Sequence, residues 1–134
     1  MNAYRTYTNA NVSTASGPRI MMTLFETALR HMRTARTAYA RGDYRSGGDA
    51  AERAVTIVLG LQATLKHELA PSLCEQLDAV YSFIVGRITL AIGNTSAPYM
   101  EEAERVFYPI VEAFGQAVAM EAAPAVAMPR AAAL

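Results

Sequence analysis

Four stretches of this chain repeat apolar residues in alternating steps of three and four, and glycines and prolines separate them. That spacing keeps one face of a 3.6-residue helical turn apolar, whereas a half-buried strand would alternate every second residue. The first seam runs through Met21, Phe25, Ala28, Met32, Ala35 and Tyr39 and stops at Gly42 and Asp43. It is entered through Ser16, whose hydroxyl can cap free N–H groups, and Pro18, which the first turn tolerates, so the helix is expected to begin near Arg19. A second seam uses Ala51, Ala54, Val58, Leu61 and Leu65 and stops before Pro71. The third passes through Leu73, Leu77, Val80, Ile84, Ile88 and Ala91, and Gly93 with Asn94 suits its C-terminal cap. The fourth starts near Pro98 and uses Ala103, Phe107, Ile110, Phe114 and Ala117. Four such helices with short connections predict an all-α fold, an antiparallel up-down four-helix bundle.

Proline and the chain ends set the remaining boundaries. Pro109 falls inside the fourth seam, where it removes a backbone hydrogen bond and crowds the preceding turn at about 3 kcal/mol, so a kink or break is expected near Tyr108. Residues 1–17 are rich in Asn, Thr, Ser and Tyr without helical period and read as a mobile N-terminal arm. Residues 18–119 form the predicted bundle, and residues 120–134, an Ala/Pro stretch with Pro124 and Pro129, read as a disordered tail. At 134 residues the chain fits one domain and can bury a core without disulfides or metals.

Charge and cysteine content narrow the function classes. Twelve basic and twelve acidic residues cancel, so nothing predicts nucleic acid or an acidic membrane surface as a partner. The lone Cys74 cannot form an internal disulfide, and the first residues lack the charged start and apolar block of a signal peptide; both favour the cytoplasm. Leu73 to Ile92 approaches membrane-span length, but Glu75, Asp78 and Arg87 interrupt it, so no membrane insertion is expected.

Helices two and three carry more apolar surface than one-sided packing uses. On the second, Val55 and Leu59 extend the apolar face past one edge of the seam, and Ala50 and Ile57 past the other, an arc of roughly 200°. On the third, Ala79, Phe83 and Leu90 line one side while Tyr81, Val85 and Ile92 line the other. Three arrangements would use the excess: irregular packing that buries both edges, coverage by the arm or an added helix, or a groove that receives a partner helix.

The order of several short motifs resembles the FliS family of flagellin export chaperones. Tyr7, Val12 and Thr14-Ala15-Ser16 lead into an aliphatic run and Leu24-Phe25-Glu26-Thr27-Ala28-Leu29-Arg30, similar to the family's opening, with Thr27 where Gly is usual. Arg53-Ala54, Ile57-Val58 and Leu61 match its second helix, Leu77, Val80-Tyr81, Phe83, Arg87-Ile88 and Ala91 its third, and Ala113-Phe114 the Ala-Trp that often ends its fourth. The similarity spans Tyr4 to Ala117; the departures are the shifted Pro18, His31 at an aromatic or aliphatic position, Phe114 for Trp, and Pro109. The resemblance implies a cytoplasmic, non-enzymatic chaperone that binds the C-terminal segment of flagellin as a helix and prevents its polymerisation before export. The export apparatus would be a second partner and no cofactor would be needed. Val55, Leu59, Ala79, Tyr81, Phe83 and Leu90 are then the expected groove, and Tyr7, Val12, Thr14, Ala15 and Ser16 the arm that lies over it. An uncovered groove also invites self-association, so a cargo-free homodimer belongs among the expected assemblies.

Other classes find less support in the residues. A di-iron bundle needs Glu-x-x-His on inward faces, yet Ala28 and Thr64 stand three places before His31 and His67, so no metal site is predicted. A histidine phosphotransfer protein would use His31 among Arg30, Arg33 and Arg36, but the lysine and glycine that usually follow are missing. Arg30, Arg33, Arg36, Arg41 and Arg45 would serve a nucleic-acid reading, although positive charge towards a helix C-terminus also favours the macrodipole. Cys74 has no neighbouring His or Lys to activate it, and no nucleotide-binding loop is present. A general helix-binding adaptor remains the alternative to the flagellin chaperone.

Overall fold

A computed structural model describes residues 17–122, which form α1 (Gly17–Ala40), α2 (Tyr44–Ala63), α3 (Pro71–Asn94) and α4 (Ala97–Ala122). The expected arm, with Tyr7, Val12, Thr14, Ala15 and Ser16, and the chain beyond Ala122 lie outside the described residues. Local chemistry sets each corner. Gly42 takes φ 80°, a left-handed conformation that glycine adopts without strain, and the Asp43 carboxylate accepts a hydrogen bond from the Ser46 N–H at 3.3 Å to open α2. Pro71 starts α3 in the first turn, where its missing N–H costs nothing.

The corner between α3 and α4 falls one residue later than the sequence indicated. Thr95, rather than Gly93 or Asn94, takes the left-handed position at φ 44°, while the Ser96 N–H donates to the Ala91 carbonyl at 2.9 Å. The Ser96 hydroxyl then accepts from the Tyr99 N–H at 3.3 Å and opens α4.

The helices close into a ring in which α1 and α3 each pack against α2 and α4, with no close approach of α1 to α3 or of α2 to α4. Consecutive helices run antiparallel, so α1 begins and α4 ends at one pole, beside the loop joining α2 to α3. The fold is the predicted four-helix bundle. Phe107, Met32, Ile84, Ile88, Met100 and Val58 are sealed in the interior, and no polar or charged residue is buried among the described residues. Each such side chain contributes roughly 1.5–3 kcal/mol by leaving water. Phe25 bridges α1 to α4, its ring 5.8 Å from Phe107 and 4.9 Å from Phe114.

Helix α1 approaches α2 through small residues, Ala28, Ala35 and Ala38 on one side and Gly47, Ala50, Ala51 and Ala54 on the other. A β-carbon at Gly47 would stand 2.6 Å from the buried Tyr39 ring. Across the other flank, the Arg33 and Arg36 guanidinium groups donate to opposite oxygens of the Glu104 carboxylate at 3.1 and 2.7 Å, tying α1 to α4.

Two features of the long helices bear on the sequence reading, the break allowed for near Tyr108 and the inner face of α3. α4 passes through Pro109 without a break. Pro109 faces solvent, and the carbonyl it leaves without an N–H partner belongs to Arg105, itself exposed, so water can take the lost bond. In the first half of α3 the buried face is rotated: Cys74 and Tyr81 point inward, and Leu73 is 56% exposed. Because α3 is apolar nearly all round, its sequence period does not fix which side faces the core. No described helix is long and apolar enough to cross a membrane.

Candidate protein-binding surface

With the core closed, large apolar side chains remain in water on α2 and α3. Leu59 is 49% exposed, Phe83 43% and Leu90 40%. Ala79 is also exposed and Val55 half-buried, whereas Tyr81, at 3% exposure, belongs to the core and drops out of the surface expected from the sequence.

These residues do not form one continuous groove, because they lie on two shoulders of α3. The α2 shoulder is fixed by Gln62, whose amide nitrogen donates to the Asp78 carboxylate at 2.7 Å and the Ser82 hydroxyl at 2.9 Å. Val55 and Leu59 lie on this α3-facing side of α2, seven and three residues before Gln62. The α4 shoulder is fixed by Arg87, which lies 4.8 Å over the Phe83 ring and 5.9 Å from Tyr99, and pairs with Glu102 at 3.4 Å. At 100° per residue, Phe83 stands about 140° round α3 from Asp78, while Ala79 and Leu90 stay within about 40° of Phe83. Leu59 and Val55 therefore flank α3 on one side, and Ala79, Phe83 and Leu90 on the other.

Between the shoulders the outer ridge of α3 carries Ser82, Gly86 and Gly93, all exposed, and added β-carbons at the two glycines would meet nothing. Each glycine costs about 1 kcal/mol relative to alanine in a helix, yet here it leaves a low saddle over which another backbone can pass. The sequence signal for this ridge is the presence of glycines inside a strongly apolar helix, away from any turn.

The groups considered for catalysis or metal binding are scattered. His31 is half-buried between α1 and α2, where burial first, and then the charges of Arg30 and Arg53, push its imidazole below the ordinary value. Cys74 is buried in α3. No cluster of three or more His, Cys, Asp or Glu side chains able to hold a metal occurs among the described residues.

A second furrow, which the sequence did not reveal, runs along the outer seam of α1 and α4. It encloses about 720 Å³ among Met22, Leu29, Val111, Gly115 and Tyr108, with Arg30, Arg33, Glu26 and Glu112 on its rims. It forms only when two helices distant in sequence are laid side by side.

The molecule is a closed all-α four-helix bundle that keeps large apolar side chains exposed on α2 and α3. The chain belongs to the FliS family: the family described as flagellar protein FliS matches residues 1–121. It is a chaperone family rather than a family of enzymes. Among curated proteins, the chain is similar to the flagellar secretion chaperone FliS of Salmonella typhimurium (strain LT2), with 29% identity over 106 residues that cover 78% of each chain.

Proposed function

We propose that this protein acts in the cytoplasm as a flagellin export chaperone, holding the C-terminal, helix-forming segment of flagellin out of polymerisation until the export apparatus receives it. The observation that carries this reading is the exposure of Leu59, Phe83 and Leu90 on a bundle whose core is otherwise complete. Single exposed apolar residues need no explanation, but large ones grouped around one helix mark a surface awaiting a partner. Membership of the FliS family and the similarity to the flagellar secretion chaperone of Salmonella typhimurium support the same reading.

The cargo segment would meet Val55 and Leu59 on one shoulder of α3, cross the ridge at Gly86, and continue over Ala79, Phe83 and Leu90. Such a path suits a ligand that is disordered when free and folds on the surface, since it can bend around α3 as a rigid helix cannot. Ordering it consumes a few kcal/mol of the interaction, which the apolar contacts must exceed. The N-terminal arm, through Tyr7 and Val12, would cover part of this surface in the absence of cargo.

The test is a Leu59→Glu, Phe83→Glu double variant titrated with a flagellin C-terminal peptide by calorimetry. Both side chains are exposed, so the thermal melt should stay cooperative with Tm changed by a few degrees at most, while affinity falls at least ~100-fold. Unchanged affinity would remove α3 as the cargo surface.

A further inference from the structure

The outer face formed by α1 and α4 is complementary to itself. Residues 27–42 contain four arginines and no acidic residue, whereas α4 carries Glu101, Glu102, Glu104 and Glu112 against Arg105 alone over residues 97–120. The zero net charge thus conceals a basic helix beside an acidic one. Arg33 and Arg36 are satisfied within the molecule by Glu104, and Glu102 by Arg87. Arg30 and Arg41 make no ion pair among the described residues, and neither do Glu101 and Glu112; all four are exposed.

Their spacing is the same on both helices. Arg30, Thr34 and Thr37 on α1 and Arg41 in the turn that ends it, its N–H still bonded to the Thr37 carbonyl at 3.2 Å, follow steps of four, three and four along one stripe and line a shallow hollow of about 340 Å³ with Arg33. Glu101, Arg105, Tyr108 and Glu112 repeat those steps on α4. Eleven residues are three turns, so each charged pair spans about 16 Å on a single face. The Tyr108 ring and the furrow containing Met22, Leu29 and Val111 lie at the junction of the two helices, adding an apolar strip to the charged margins.

We infer that this face binds the same face of a second copy of the chain, with α1 of each protomer lying along α4 of the other. Stacking α1 on α1 would set arginines against arginines and α4 on α4 glutamates against glutamates. Pairing α1 with α4 instead places Arg30 and Arg41 among Glu101 and Glu112 on both halves of a twofold dimer. No Asp or Glu side chain occurs in residues 1–16 or 123–134 to compete for Arg30 and Arg41. Two helices about 36 Å long and 10 Å wide offer roughly 700 Å² per protomer, close to the ~800 Å² of an ordinary specific interface. In the ring, α1 lies diagonal to α3, so this dimer leaves Phe83 and Leu90 free and does not depend on the flagellin reading.

The experiment is sedimentation equilibrium of the full chain at low and high salt, with charge-reversed variants checked by thermal melt. The wild-type dimer should weaken at least ~10-fold between 50 and 500 mM salt, because its charged margins are solvent-accessible. Arg30→Glu with Arg41→Glu should weaken self-association at least ~10-fold, and so should Glu101→Lys with Glu112→Lys, since each places like charges together on both halves. An equimolar mixture of the two variants should regain dimerisation, because its heterodimer pairs Glu with Lys on one half and Arg with Glu on the other. A monomeric wild type at ~0.5 mM, variants that dimerise as well as wild type, or a mixture that stays monomeric would each overturn the proposal.

Discussion

Gly47 and Gly60 are both glycines inside α2, yet they play opposite parts. At Gly47 an added β-carbon would collide with the Tyr39 ring at 2.6 Å, and the ring is too deeply buried to swing away, whereas Gly60 faces open space. Gly47→Ala should therefore lower stability by about 1–3 kcal/mol through overpacking, partly offset by better helix propensity. Gly60→Ala should raise it by about 0.5–1 kcal/mol through propensity alone. Paired urea denaturation curves will separate the two, and equal shifts of the same sign would refute the close approach of α1 and α2 at this point. The sequence does not distinguish these glycines, because the Tyr39–Gly47 contact joins two helices and leaves no periodic trace. It did mark Leu59, Phe83 and Leu90 as surplus to the seams, and all three remain exposed.

The four helices were legible to different degrees because their faces differ in contrast. On α1, polar residues cover the outside, so Phe25, Ala28, Met32, Ala35 and Tyr39 stood out as the inner seam, and all five are buried. On α3 the apolar residues run nearly all round, so the sequence assigned Leu73 and Val80 to the core where Cys74 and Tyr81 lie deeper. On the same ground, Tyr81 was placed in the groove and proves to be interior. Pro109 illustrates a third case, in which residue chemistry was read correctly but position decided the outcome: its penalty persists, but on a solvent-facing turn the helix continues. Replacing it should release that penalty. Pro109→Ala is expected to stabilise the protein by about 1–3 kcal/mol, read as a higher Tm and a shifted denaturant midpoint, and a lower Tm would mean that the proline is needed to shape α4.

For the whole molecule, the ring of helices was readable from four seams and short connections, but the surfaces between helices were not. The two shoulders of α3 and the α1/α4 furrow depend on which helices become neighbours, and a single helical wheel is silent on that. The arm can be tested at this scale. Sixteen residues span at most about 55 Å when extended, more than the length of the bundle's helices, so an arm attached at Gly17 can reach the outer face of α3. Deleting residues 2–13 is expected to strengthen binding of the flagellin peptide several-fold in calorimetry, as a competitor held in place by the chain is removed. An affinity equal to that of the intact protein would exclude the arm as a cover.

The even number of antiparallel helices brings Gly17 and Ala122 to a common pole. A label or tether joined directly to Gly17 or Ala122 would therefore leave the bundle at that pole, away from the tight corners at Gly42 and Thr95. A short peptide stitched between the two ends would close the backbone into a circle, and the circle could be reopened in the α2–α3 loop without cutting any helix.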